Sequence, residues 1–149
     1  SLTMKYVKDF CKDKNIKYTF FKLFLVVGRS QCQPRLFPLI KKNIKYQNNF
    51  LINTPNHIKN ILYIDEFTFI LNKILSSKNS VNQIYNLGSD KNISMINLCK
   101  KIKKYNKNFL FKKSNNLETK KQVPDLTKLK KQIGNHQFIT IDKIINLIL

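Results

Sequence analysis

Hydrophobic and polar positions follow two different periods along the chain, and each change of period marks a new element. Over residues 1–14 apolar side chains recur every three or four positions, which predicts an amphipathic helix ended by Asn15. Residues 18–27 are aromatic or β-branched almost without interruption up to Gly28, which predicts one buried strand. The helical period returns over residues 36–45.

The same alternation continues to the end of the chain. Further extended segments are predicted at residues 49–53, 58–64, 83–87 and 109–111. Further helices are predicted after the N-caps Asp65 and Ser94, over residues 125–134 and over residues 141–149. Residues 112–123 are polar and lysine-rich and predict an irregular segment. Alternating strands and helices indicate an α/β fold.

The 149 residues carry a formal net charge of +20 at pH 7, which raises the question of a nucleic-acid partner. Of the 28 basic residues only Arg29 and Arg35 are arginines, and the lysines are spread from Lys5 to Lys143. Abundant Lys, Asn and Ile share AT-rich codons, so genomic base composition explains the charge without a ligand. A surface that reads guanine edges or phosphates usually holds more arginine. A small lysine-rich module that binds nucleic acid or another polyanion is kept as the alternative hypothesis.

Several other classes of protein are not favoured. No apolar run is long enough for a membrane span, and no secretory leader is expected. Cys11, Cys32 and Cys99 lack metal-ligand spacing, so we expect reduced thiols in a cytoplasmic protein. Neither His57 nor His136 has a ligand partner at a recognisable spacing, so no metal site is predicted.

Four short segments stand in a fixed order over nearly the whole chain. They are KLFLVVG at residues 22–28, KNILYIDE at 59–66, YNLG at 85–88, and DLTK at 125–128 followed by IG at 133–134. They resemble R-x-F-N-x-Y-G, R-D-F-x-Y-V-D-D, Y-N-x-G and D-x-S-K followed by L-G in the extended short-chain dehydrogenase/reductases. That family contains the NAD-dependent nucleotide-sugar epimerases and dehydratases.

The resemblance implies the C-terminal half of such an enzyme: the last Rossmann elements plus a small substrate-binding subdomain. On this expectation residues 1–33 end the Rossmann-like core, residues 34–149 are mostly the substrate-binding subdomain, and strands return to the core near residues 83–88. Three glycines cannot supply the Gly-rich dinucleotide fingerprint. The family's catalytic Tyr-x-x-x-Lys is expected just before the first residue.

A literal Tyr-x-x-x-Lys match does occur between Tyr18 and Lys22. It lies on a predicted strand, where residues four apart are separated by about 13 Å, and the lysine therefore cannot lower the pKa of the tyrosine. We assign no catalytic residue to the chain.

The function implied by the resemblance is an NAD-dependent isomerase or lyase acting on a nucleotide sugar, with this chain supplying the substrate pocket. NAD is expected in the complete enzyme and not on this chain alone. The expected partners are the nucleotide sugar, an N-terminal Rossmann half and a second copy of the chain, contacted through the first helix. A non-catalytic relative retained for dimerisation is a third hypothesis.

Carried over position by position, the resemblance implies two groups of site residues. The substrate-binding group is Arg35, Leu36, Phe50, Leu51, Ile52, Lys59 and Asn86, and the group near the nicotinamide is Leu23 and Phe24. Lys59 stands where the family places an arginine on the diphosphate; it keeps the charge and loses the bidentate fork. The alternative for Lys59 is an ordinary solvated lysine.

Other positions also have structural alternatives. Residues 50–52 are equally explained by the packing of a small strand, Asn86 by hydrogen bonds to backbone groups at a strand end, and residues 23–24 by the core. Two further family positions are changed: the asparagine that contacts the sugar nucleotide is Leu25, and the later arginine falls near Asn115. Neighbouring lysines at 112 and 113 are expected to replace that arginine.

Overall fold

The computed structural model describes residues 2–149 and confirms the α/β class. The helices are α1 (Leu2–Asp13), α2 (Leu36–Lys45), α3 (Ile64–Leu75), α4 (Met95–Tyr105), α5 (Thr127–Ile133) and α6 (Ile141–Ile148), with a 3₁₀ turn at Lys78–Ser80. The strands are β1 (Thr19–Leu23), β2 (Leu25–Val27), β3 (Asn49–Ile52), β4 (Ile58–Tyr63), β5 (Gln83–Leu87), β6 (Asn92–Ser94), β7 (Leu110–Lys113) and β8 (Lys121–Gln122).

The single strand predicted over residues 18–27 is wrong, because the chain changes partner at Phe24. β1 pairs in parallel with β5, and the Phe24 N–H still donates to the Leu87 carbonyl at the end of that pair (3.3 Å). β2 then pairs in parallel with β4, in a different sheet. Apolar residue types continue across the switch from Leu23 to Val27, so the hydrophobic pattern carries no sign of it.

β4 is the central strand of a four-stranded sheet. β6 pairs antiparallel with β4 residues 58–60. β8 pairs in parallel with residues 58–59 and β2 with residues 61–63. Because β6 occupies one edge of β4, β8 lies on the other, in line with β2. β3 and β7 form a separate two-stranded parallel sheet.

Successive β4 side chains enter two different hydrophobic cores. Ile61 and Tyr63 pack with buried residues of α2, α4 and α6, whereas Leu62 packs with those of α3, α5 and β5. This alternation is the two-residue period of a strand that is covered on both faces. Packing on both faces holds β4 in place, and with it the polar residues Lys59 and Asn60 near its start.

Most predicted helix ends are confirmed. Asn15 has a φ of 51°, the left-handed conformation expected after α1, and Ser94 caps α4 through its hydroxyl. The prediction of Asp65 as an N-cap is wrong, because Tyr63 holds that position. Asp65 lies instead in the first turn of α3, where its negative charge interacts favourably with the positive end of the helix dipole.

A buried asparagine connects β4 to the loop that follows β5. Asn60 is 1% exposed, and its amide nitrogen donates to the Ser89 carbonyl at 2.6 Å and to Asn92 Oδ1 at 2.8 Å. Its amide oxygen accepts the Ser89 N–H at 2.9 Å. Buried polar groups need such partners, and this network fixes β4 directly beside Lys59.

All three cysteines are free thiols, with Cys11 and Cys99 buried and Cys32 exposed. Burial raises the pKa of the Cys99 thiol to about 12, so it is not a thiolate at neutral pH. Over residues 2–149 no group of three or more His, Cys, Asp or Glu side chains is arranged to hold a metal ion. In the same part of the chain, no helix has the length and apolar character needed to cross a bilayer.

Candidate functional site

A cavity of about 760 Å³ opens beside the β1–β2 junction and β8. Its walls come from the β1–β2 junction, the N-terminus of α2, the start of β4, and β8 with its following residue. The lining residues are Leu23, Phe24, Leu25, Pro34, Arg35, Leu36, Thr54, Lys59, Met95, Lys121, Gln122 and Val123.

The cavity carries three positive charges, Arg35, Lys59 and Lys121, and none of the described residues that line it is acidic. Lys59 Nζ donates a hydrogen bond to Gln122 Oε1 at 2.8 Å. Within residues 2–149 the ion pairs lie elsewhere, and neither Arg35 nor Lys121 has a side-chain hydrogen-bond partner. Charges of one sign gathered in a cleft concentrate counterions, so this cavity attracts anions.

The N-terminus of α2 adds to the positive potential of the cavity. Arg35 is the N-cap residue, its backbone is extended, and no side chain caps the helix. The first turn of α2 contains no acidic residue that would offset the partial positive charge of its free N–H groups. The guanidinium of Arg35 is therefore free to contact a ligand beside these backbone donors.

The remaining wall is apolar and suits the uncharged part of a ligand. Leu23, Phe24 and Leu25 form it at the β1–β2 junction, together with Met95 and Val123. Leu23, which ends β1, is 57% exposed, so its side chain is accessible to a ligand in the cavity. A cavity lined by both cations and apolar side chains fits an amphipathic anion such as a nucleotide.

Five of the nine predicted site residues line this cavity: Arg35, Leu36, Lys59, Leu23 and Phe24. The sequence separates them by up to 36 positions, and the structure places them around one opening. They line one cavity, and their roles in ligand binding stay predictions.

The predicted substrate-binding residues Phe50, Leu51 and Ile52 lie on β3, outside this lining. Phe50 packs against Phe109 with ring centroids 6.0 Å apart, and Ile52 is 2% exposed in the core. Leu51 is exposed on the opposite face. These contacts correspond to the structural alternative, and a binding role for the strand stays a prediction.

Asn86 also lies outside the lining of the cavity. Its amide nitrogen donates to the Asp125 carbonyl at 2.9 Å and thereby ties β5 to the segment before α5. This hydrogen bond to a backbone carbonyl corresponds to the structural alternative for Asn86, and a substrate-binding role stays a prediction.

Lys121 and Gln122 line the cavity but are not among the predicted site residues. The expected replacements for the family's later arginine, Lys112 and Lys113, lie on β7 and do not line the cavity. β8 is only two residues long and sits in a segment predicted to be irregular, so no period marks it. Its place beside β4 depends on pairing between residues more than 60 positions apart.

A second cavity, of about 650 Å³, lies at the other end of β2. It contains Arg29 and also the acidic Asp65. Arg29 Nε donates to the Leu147 carbonyl at 2.6 Å, near the C-terminus of α6, where a cation is stabilising. Its arginine therefore already has a structural partner, unlike Arg35 in the larger cavity.

The residues present do not fit the pyrophosphate of NAD. A methyl group placed on Gly88 would lie 2.5 Å from Asn60 Oδ1, and one placed on Gly28 would lie 2.9 Å from Ile64 Cγ2. The space beside both glycines is therefore occupied by other side chains and is not open to a phosphate. Gly134 ends α5, alone. None of the three belongs to a glycine-rich turn between a strand and a helix, which a dinucleotide requires.

Known structures share this arrangement of elements. UDP-glucuronic acid 4-epimerase from Bacillus cereus, solved with UDP-glucuronic acid and NAD, superposes on 94% of this chain with a TM-score of 0.82 and 18% identity. UDP-glucose 4-epimerase from Thermotoga maritima, solved with UDP-glucose, superposes on 96% of it with a TM-score of 0.76 and 18% identity. The chain has their fold. The predicted fold, that of the extended short-chain dehydrogenase/reductases, is thereby confirmed.

An NAD-dependent NDP-hexosamine 5,6-dehydratase also matches, over 87% of the chain at 17% identity and a TM-score of 0.75. The chain spans about half the length of these structures: 46%, 48% and 43% of the epimerases and the dehydratase, respectively. No sequence-family model matches the chain, and no curated protein matches it in sequence.

Proposed function

We propose that this chain is the substrate-binding part of an NAD-dependent enzyme that modifies a nucleotide sugar. The observation that carries the proposal is the cavity with three cations, no acid among its described lining residues and an apolar wall. Solved structures with the same fold include epimerases in complex with UDP-sugars, which supports the same class of ligand. Arg35, Lys59 and Lys121 contact the diphosphate, and the apolar wall at the β1–β2 junction contacts the uncharged part.

The redox chemistry belongs to a second, N-terminal Rossmann half that holds NAD. The exposed apolar face of α1 supports the docking of this Rossmann half against the chain. Leu2, Tyr6 and Phe10 lie at four-residue spacing on α1 and are 72%, 70% and 57% exposed. Apolar side chains aligned in this way on a helix usually face protein.

The sheet next to this face is also incomplete. Among the described residues β1 pairs only with β5, and a two-stranded sheet is marginally stable by itself. Further parallel strands added to β1 would complete it. We therefore assign residues 1–33 and the strand near residues 83–88 to the Rossmann-like core, and most of residues 34–149 to the substrate-binding subdomain of a cytoplasmic enzyme. A second copy seated on α1 is the competing occupant of this face.

Calorimetric titration of the chain with UDP-glucose, UDP and uridine tests the binding role. We expect the two diphosphates to bind and uridine to bind far more weakly. Arg35→Ala and Lys59→Ala should each weaken UDP binding by about tenfold, the value of one charge-assisted hydrogen bond. Lys100→Ala, which removes an exposed lysine outside the cavity, is the matched control and should leave the affinity unchanged.

The polyanion-binding alternative predicts a different result. If an oligonucleotide binds more tightly than UDP, with a steep salt dependence and equal losses from Lys59→Ala and Lys100→Ala, charge alone determines binding and the proposed function is wrong.

A further inference from the structure

We propose that Gln122 is a positioning residue that holds the ammonium group of Lys59 at the ligand while leaving its positive charge intact. The inference rests on the proposed function, since it concerns how the same cavity binds a phosphate. It assigns a role to β8, a strand for which the sequence resemblance supplies no function.

The pairing of β8 with β4 brings the two side chains together. Lys59 and Gln122 are paired residues in adjacent parallel strands, and both line the cavity. Lys59 Nζ lies 2.8 Å from Gln122 Oε1, an ordinary hydrogen-bond length. The strand pairing places the two side chains next to each other, and the hydrogen bond holds the ammonium group at the amide oxygen.

An amide oxygen suits this task because it is uncharged. An ammonium group has three N–H donors, and Gln122 accepts one, which leaves two for phosphate oxygens. Elsewhere in the chain a lysine is held by a carboxylate: Lys101 Nζ lies 2.7 Å from Asp142 Oδ2. A carboxylate in place of Gln122 would hold Lys59 equally well but would offset the charge that attracts the ligand.

Positioning improves affinity because a free lysine side chain must be ordered when the ligand binds. That cost is about two- to tenfold in affinity for each long side chain immobilised. Where Gln122 has already ordered Lys59, the ligand avoids most of it.

The chain offers a matched control in a second lysine–glutamine hydrogen bond. Lys128 Nζ donates to Gln83 Oε1 at 2.6 Å on the surface, and neither residue lines the cavity. Loss of that hydrogen bond should leave ligand binding unchanged.

The experiment is a double-mutant cycle on the full chain, with UDP and inorganic pyrophosphate titrated calorimetrically. Gln122→Leu should weaken binding of both probes about three- to fivefold. Gln122→Glu should weaken it by about tenfold or more, although the carboxylate still accepts the Lys59 hydrogen bond. In a Lys59→Ala background, Gln122→Leu should cause no further loss, because its effect acts through Lys59. Gln83→Leu should match the unchanged chain.

Two outcomes overturn the inference while leaving the proposed function standing. One is that Gln122→Leu weakens binding equally with and without Lys59. The other is that Gln122→Glu or Gln122→Leu binds as tightly as the unchanged chain while Lys59→Ala does not. Failure of the unchanged chain to bind either probe overturns the proposed function and the inference together. Equal urea midpoints for all variants exclude a loss of fold as the cause.

Discussion

Asn60 and Ser89 hold each other through two hydrogen bonds, with the Asn60 amide donating to the Ser89 carbonyl and the Ser89 N–H donating back to the Asn60 amide oxygen. The pair joins the start of β4 to the loop after β5. Because Asn60 is the first buried residue of β4 and directly follows Lys59, the pair also fixes the backbone on which that lysine stands.

Asn60→Asp should lower the free energy of unfolding by about 2–4 kcal/mol. The carboxylate cannot donate to the Ser89 carbonyl or to Asn92, and it brings a negative charge into a site that is 1% exposed. Urea denaturation of the two chains at pH 7 measures the difference. Asn97→Asp makes the same chemical change at an exposed position and should stay within about 0.5 kcal/mol of the unchanged chain. Equal effects at both positions would contradict this role for Asn60.

Gly88→Ala should destabilise the fold by about 1–3 kcal/mol through overpacking. Its methyl group would lie 2.5 Å from Asn60 Oδ1 and 2.7 Å from Pro124 Cγ, between two groups that are held in place. Gly28→Ala is the comparison, since its nearest neighbour, Ile64 Cγ2 at 2.9 Å, belongs to a side chain that is 39% exposed and has room to move. Thermal or urea unfolding should show the larger loss at Gly88, and the reverse order would refute this explanation.

Asp142 makes a small, pH-dependent contribution to the free energy of unfolding. Its hydrogen bond from Lys101 Nζ, with a weaker contribution from the Tyr105 hydroxyl, lowers the pKa of the Asp142 carboxyl below its ordinary value. The stabilisation is therefore complete above the ordinary pKa of about 3.9 and is lost as pH falls through the lowered value in the folded chain.

Asp142→Asn should lower the free energy of unfolding by about 0.5 kcal/mol at pH 7, a small amount because both partners are more than one third exposed. The difference should vanish near pH 2 and shrink in high salt. Urea midpoints at the two pH values measure it. A difference that is the same at both would show that the ion pair is not its source.

The three cysteines should differ sharply in reactivity. Iodoacetamide at pH 8 should modify Cys32, which is exposed, and leave Cys99, whose pKa burial raises to about 12. Peptide mass analysis after labelling, with and without urea, identifies the modified residues. Rapid labelling of Cys99 without urea would mean that α4 is not packed as described.

Local signals in the sequence were sufficient for most helices and for two of the three cavity cations. α2 and α4 are marked by an apolar period of three to four residues, and α4 also by the Ser94 cap. Lys59 stands at a position of a resembling motif, whereas Arg35 is singled out as one of only two arginines in a lysine-rich chain.

The remaining features depend on long-range pairing, which a local pattern does not contain. The change of partner at Phe24 is set by β4 and β5, whose residues lie far along the chain. Lys121 and Gln122 reach the cavity only because β8 pairs with β4. A two-residue strand is too short to show a hydrophobic period. Nothing in this lysine-rich segment therefore indicates that Lys121, and not Lys112 or Lys113, lies in the cavity.

The central claim, that the cavity at Arg35, Lys59 and Lys121 binds the diphosphate of a nucleotide, is tested most directly by amide hydrogen exchange with and without UDP. We predict slower exchange at the N-terminus of α2, at the start of β4 and at β8, with no change at β3 or near Arg29. Protection confined to the cavity beside Arg29, or spread evenly over the lysine-rich surface, would contradict the claim.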